Sequence, residues 1–132
     1  MSVGEMRHTA LLPLSDAPTV VRAARHFARE LAHAWGYSDA ICDGVMLVTS
    51  ELVTNAVNHA HSALGLRVSD QGRCLRIEVE DGDSRRPRPA AVDEEAMGGR
   101  GLSVVQSEAT AWGVDRTEHG KVVWAEFDGD AA

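Results

Sequence analysis

The chain has 132 residues, 44% apolar and 25% charged, which suits a single soluble globular domain with a sizeable core. Its net charge of −7 argues against a nucleic-acid-binding domain, which would be basic, and leaves proteins and small ligands as partners. No apolar run approaches the ~20 residues of a membrane span, and MSVGEMRHTALLPL has no basic stretch leading into a long apolar one, so a cytoplasmic protein without membrane contact is expected.

RHTALLPL (Arg7–Leu14) predicts a first strand. SDAPTVV then starts a helix, with Ser15 or Asp16 as cap and Pro18 in the first turn, where its missing N–H costs nothing. Val20, Ala24, Phe27, Leu31 and Trp35 form one apolar stripe, and Gly36 stops the helix. Opposite the stripe, Arg22, Arg25 or His26, Arg29 and His33 make a basic strip, either a face for an acidic partner or an ordinary wet surface. Ser38 or Asp39 caps a second, long helix whose apolar side is Ile41, Val45, Val48, Leu52 and Ala56, ending near residues 60–62. LGLRVSD and CLRIEVED, separated by Gln71-Gly72, read as a hairpin, the second with strict alternation of apolar and charged residues. Residues 83–99 show no period and predict a long loop carrying Arg85, Arg86 and Arg88. RGLSVVQSEAT predicts a short helix opening after Gly98-Gly99. AWGVDR and KVVWAEF close the chain as a second hairpin across Thr117–Gly120. Cys42 and Cys74 form no CxxC motif and are expected as reduced, partly buried thiols. The order β α α β β loop α β β implies one domain over residues 1–132. Its architecture is a two-layer α/β (α+β) sandwich, with helices on one face of a mostly antiparallel mixed sheet.

Three features carry chemistry. On the second helix, SELVTNAVNHA places Glu51, Asn55 and His59 four residues apart, hence on one face. VEDGD ends a strand in Asp81 followed by Gly82. MGGRGL (Met97–Leu102) is a glycine-rich turn feeding a helix, whose N–H groups and dipole suit phosphate. Each alone also fits a plain structural role: a solvated helix face, a turn-forming acid, a connection. On so acidic a chain an anionic ligand needs local N–H groups and a metal.

Together, in this order, the three resemble a known family. SELVTNAVNHA resembles the N-box of the GHKL (Bergerat-fold) ATP-binding domains of gyrase, heat-shock chaperone, histidine kinase and MutL; VEDGD is similar to the G1 box, GGRGL to the G2 box, and EHGKVVWAEF to the closing strand. The resemblance runs from about Leu12 to Phe127. The short length resembles the anti-sigma-factor serine/threonine kinases and the actinobacterial ATP-binding regulators among them. It implies ATP and Mg²⁺ as cofactors. Asn55 would hold Mg²⁺ through its side-chain oxygen, since a largely phosphate-and-water shell needs little more. Glu51 would be the catalytic base towards a serine or threonine hydroxyl. Asp81, with Gly82, would take the adenine amino group. Gly98, Gly99, Arg100, Gly101 and Leu102 would bind phosphate, Arg100 also serving as a γ-phosphate or partner contact, and His59 would stand behind the nucleotide site. Residues 83–97 take the place of the ATP lid. Two departures stand out. Asp83 and Arg85 replace later G1 residues, and Lys121-Val122 follow the last glycine where a threonine is common, which leaves that hydroxyl's contact to adenine absent.

The function implied is an anti-sigma-factor protein serine/threonine kinase that phosphorylates an anti-sigma-factor antagonist, sequesters a sigma factor and forms a homodimer. The alternative is a non-catalytic ATP-binding or nucleotide-free module of the same fold that only sequesters a partner. A histidine-kinase catalytic domain is disfavoured because no dimerisation helix pair precedes Leu12, and a nucleotide-independent interaction domain would make the three boxes coincidence.

Overall fold

The computed structural model describes residues 8–15, 17–60, 63–82, 99–118 and 120–129, with only the backbone for 59–60, 63–64 and 99–102. The order is β1 (His8–Pro13), α1 (Val20–Ala34), α2 (Asp39–Ala60), β2 (Ala63–Asp70), β3 (Cys74–Asp81), α3 (Gly99–Glu108), β4 (Ala111–Arg116) and β5 (Lys121–Asp128). The strands form one sheet in the order β1-β2-β3-β5-β4, and every described pairing is antiparallel. The helices lie on one face, α2 packing on β2, β3 and β5. The expected two-layer sandwich is present.

Alternation decides which strand residues meet the helices. On the inner face of β3, Leu75, Ile77 and Val79 are buried, opposite Phe127, Ala125 and Val123 of β5. On the outer face, the Arg76 guanidinium donates to Glu78 and Glu126, both at 2.7 Å, and stacks 4.4 Å from the Trp124 ring centre. Cys42 is buried, Cys74 half-buried, and both are free. Burial first, then Glu126 and Asp128, pushes the Cys74 thiol up to about 11, so it stays protonated at neutral pH.

The first helix departs from the expected stripe. Its fully buried row is Val20, Ala24, Ala28 and Ala32, with Phe27, Leu31 and Trp35 half-buried along the margin. Its start also differs. Thr19 is the cap residue and makes no side-chain cap bond, while Ser15 accepts from the Ala17 N–H at 3.3 Å, closing a turn ahead of the helix. Asp16, the other expected cap, lies outside the described residues. At the far end Gly36 has φ 86°. The Tyr37 N–H reaches Ala32 O and the Gly36 N–H reaches His33 O, both at 3.0 Å, the paired bonds of a Schellman cap. Ser38 caps α2, accepting from the Ile41 N–H at 3.2 Å.

Asp39–Asn58 is long and apolar enough, by length and composition, to cross a membrane. The reason is averaging: no continuous apolar run exists, but Cys42, Val45, Val48, Leu52, Val53 and Ala56 raise the mean, and all six are buried in the core.

At the β2–β3 turn, Asp70 is 3% exposed. It accepts from the Tyr37 hydroxyl at 2.6 Å and the Gly72 N–H at 3.0 Å, and pairs with His8 Nδ1 at 3.2 Å. Burial alone would raise its pKa, but the Tyr37, Gly72 and His8 contacts outweigh it and hold the carboxyl below its ordinary value. A depressed carboxylate stabilises the fold at every pH above its unfolded value and loses that contribution as pH falls through the folded one. Asp70→Asn is therefore expected to cost roughly 1–2 kcal/mol at pH 7. Urea melts of both proteins should show the gap closing in acid, below about pH 4.

Candidate functional site

A small cleft lies between α2 and one end of the sheet, lined by Leu52, Asn55, Ala56, Val79, Asp81, Lys121 and Val123. Its walls follow from two periods. Leu52, Asn55 and Ala56 are the i, i+3 and i+4 positions of α2 that face the sheet, and Val79 and Asp81 are alternate inner-face residues of β3. Apolar side chains form the floor, and an amide, a carboxylate and an ammonium form the rim. Such a site suits a flat ligand with polar edges.

Asn55 is 9% exposed and Asp81 3%, so both are buried polar side chains in a cleft wall. Asp81 lies directly across from Lys121 in the β3–β5 ladder, and Lys121 Nζ stands 2.5 Å from Asp81 Oδ2. The Lys121 side chain is 14% exposed. Removing Lys121 would leave the buried Asp81 carboxylate without this partner, a destabilising change. In sequence, Lys121-Val122 means the loss of a threonine hydroxyl. The structure places there a different polar group, aimed into the cleft.

Gly120 makes this pairing possible. A Cβ at that position would overlap the Asp81 carbonyl oxygen and come within 3.1 Å of Gly82 Cα. The turn before β5 therefore sits directly on the end of β3, held also by the Thr117 N–H donating to Gly120 O at 2.9 Å. This is a close backbone approach that only glycine permits.

The other expected site residues are distributed as follows. Glu51 is half-buried, one helical turn from Asn55, and is not part of the cleft wall. His59 occupies the last turn of α2, but its side chain lies outside what is described. Gly82 follows directly on β3. Gly99, Arg100, Gly101 and Leu102 form the first turn of α3, as expected of a helix opening at the glycine pair, and Gly98 lies outside the described residues. The stretch 83–97, with Arg85, Arg86 and Arg88, lies outside them too. Of the basic strip on α1, Arg29 turns towards Asp43 of α2 at 3.6 Å and Glu30 at 3.9 Å, while Arg22, His26 and His33 are exposed.

The residues present fit the two expected cofactors. The chemistry of the lining matches: a buried carboxylate beside apolar side chains can take the amino group of a purine. Among the described residues no cluster of three or more His, Cys, Asp or Glu stands together. Asn55 offers a single neutral oxygen, which fits Mg²⁺ brought in on phosphate.

Residues 14–127 match the family model described as the histidine kinase-like ATPase domain. No curated protein sequence matches the chain. The RsbU and RsbW domains of Rv1364c from Mycobacterium tuberculosis share the fold with a TM-score of 0.71 at 16% identity, covering 92% of this chain. The present chain spans 32% of that longer one. The nucleotide-free catalytic domain of the histidine kinase ThkA superposes with a TM-score of 0.54, also at 16% identity, over 95% of this chain and 99% of that one. At such identities the likeness is one of fold.

Proposed function

The chain belongs to the histidine kinase-like ATPase domain family, and on that premise we propose that it is an ATP-dependent protein serine/threonine kinase of the anti-sigma-factor type. Its phosphorylation substrate is a small anti-sigma-factor antagonist, and it also sequesters a sigma factor. The observation that carries the reading is the juxtaposition of Asn55 and Asp81, from α2 and β3, at one cleft. The ATP-binding part of the reading is supported by the N-box-like SELVTNAVNHA and by the family match over residues 14–127, and the choice of branch is favoured by the fold shared with a protein that carries an RsbW domain.

Mg·ATP supplies the γ-phosphoryl group together with the charge neutralisation that its transfer requires. Asp81 accepts the exocyclic N–H of adenine over Leu52, Ala56, Val79 and Val123. Asn55 would hold Mg²⁺ through its side-chain oxygen. Backbone N–H groups of Gly99 to Leu102, the first turn of α3, would receive phosphate, as would that of Gly98 before them. Glu51, one turn from Asn55, accepts the proton of the incoming serine or threonine hydroxyl. The product gains about −1.5 to −2 charges at the contact surface and leaves, freeing that surface for the sigma factor.

The test is incubation with γ-labelled ATP, Mg²⁺ and a candidate antagonist. Label on a serine or threonine of the antagonist supports the kinase. Tight nucleotide and sigma-factor binding with no label on any antagonist replaces it with a partner-sequestering module.

A further inference from the structure

Lys121 stands in the wall of the cleft, and nothing in the proposed phosphoryl transfer uses it. Its ammonium has three donors and no acceptor. One donor is engaged by Asp81 Oδ2 at 2.5 Å. Asp81 is a pure acceptor when ionised. The pair thus presents, side by side at the end of an apolar cleft, one acceptor and one donor in contact with each other. The polar edge of adenine is the complement: the exocyclic amino group donates, and ring N1, one ring carbon away, accepts.

We propose that Lys121 and Asp81 read the base together, Asp81 taking the exocyclic N–H of adenine and Lys121 donating to N1. Lys121 is then a specificity-determining residue, a role that rests on the ATP reading of this cleft. Three observations support it. The two side chains are locked in register, directly opposite each other in the β3–β5 ladder. Both are largely withdrawn from water, at 3% and 14% exposure, where hydrogen bonds are stronger and unmatched donors cost more. Their charges cancel, so the base end of the cleft stays close to neutral, as an uncharged ring requires. A base with an N–H at ring position 1 would set donor against donor at Lys121 and be rejected on that ground.

The experiment compares dissociation constants of Mg·ATP and Mg·1-deaza-ATP, which lacks the N1 acceptor, by calorimetry. The wild-type chain is expected to prefer ATP by about tenfold or more, the usual weight of a hydrogen bond to a charged group. Lys121→Arg should keep that preference and Lys121→Met should erase it. Because Lys121→Met strands a buried carboxylate, the pair Asp81→Asn, Lys121→Met serves beside it, leaving no charge unmatched, and should show the same ratio near one. A ratio near one in the wild type, or a preference that survives both methionine variants, overturns the proposal and reduces Lys121 to a counter-ion. ATP binding itself would persist in that outcome. Failure of the wild type to bind either triphosphate would instead remove the nucleotide reading, and this proposal with it.

Discussion

Glu51→Ala is expected to lower label transfer to the antagonist by about 10²–10⁴-fold, the usual weight of a positioned general base, while leaving the affinity for Mg·ATP within about twofold of wild type. The separation follows from position. Glu51 is half-buried on α2 but lies outside the cleft wall that Asn55 and Asp81 help form. Its loss leaves the floor of Leu52, Ala56, Val79 and Val123 in place, together with both rim charges. A carboxylate that acts only on the incoming hydroxyl contributes to the transition state and not to nucleotide binding. Single-turnover transfer, measured beside a binding titration, gives both numbers on one preparation. Equal loss of both would mean that Glu51 shapes the nucleotide site itself. Loss of neither would mean that another group takes the proton.

Gly120→Ala should be the most damaging one-carbon change at the site. The added Cβ would overlap the Asp81 carbonyl oxygen, which is backbone and cannot rotate away. Relief requires the end of β3 or the start of β5 to move, parting Lys121 from Asp81. Overpacking of this kind costs roughly 1–3 kcal/mol, a fall in Tm of roughly 3–10 °C for a domain of this size. The fold survives, because the core between the sheet and α2 is untouched. Nucleotide affinity should fall by more than the stability loss suggests, since the distortion lands on the base end of the cleft. Thermal melts and nucleotide titration of the variant check both halves.

Most of the fold was legible in the sequence because its elements have clean periods. Leu75, Ile77 and Val79 alternate with charges and gave β3 its span, and Gly36 marked the helix end that its positive φ now explains. Asn55 and Asp81 were legible as candidates because the motifs around them are local, and the structure brings both to one cleft. Three features were not. Ala28 and Ala32 of α1 are buried where the expected stripe has Phe27, Leu31 and Trp35, because size suggests burial while close packing favours small side chains. The start of α1 was misplaced because Ser15 uses its hydroxyl on a turn. The ion pair between Asp81 and Lys121 joins residues 40 apart in sequence. Reading β4 and β5 as a hairpin does not say which of them lies beside β3. Only the order β3-β5-β4 brings the first residue of β5 opposite the last residue of β3. Once that order is known, the register alone predicts the contact.

The central claim is that Asn55 and Asp81 serve one nucleotide, from opposite walls of one cleft. Calorimetric titration of Mg·ATP into the wild type, Asn55→Ala and Asp81→Asn tests it most directly. The prediction is saturable binding to the wild type, weaker by about tenfold or more in each variant, with the Asn55→Ala deficit disappearing when Mg²⁺ is withdrawn from both proteins. Binding of equal strength in all three proteins, or no binding to the wild type, would contradict it.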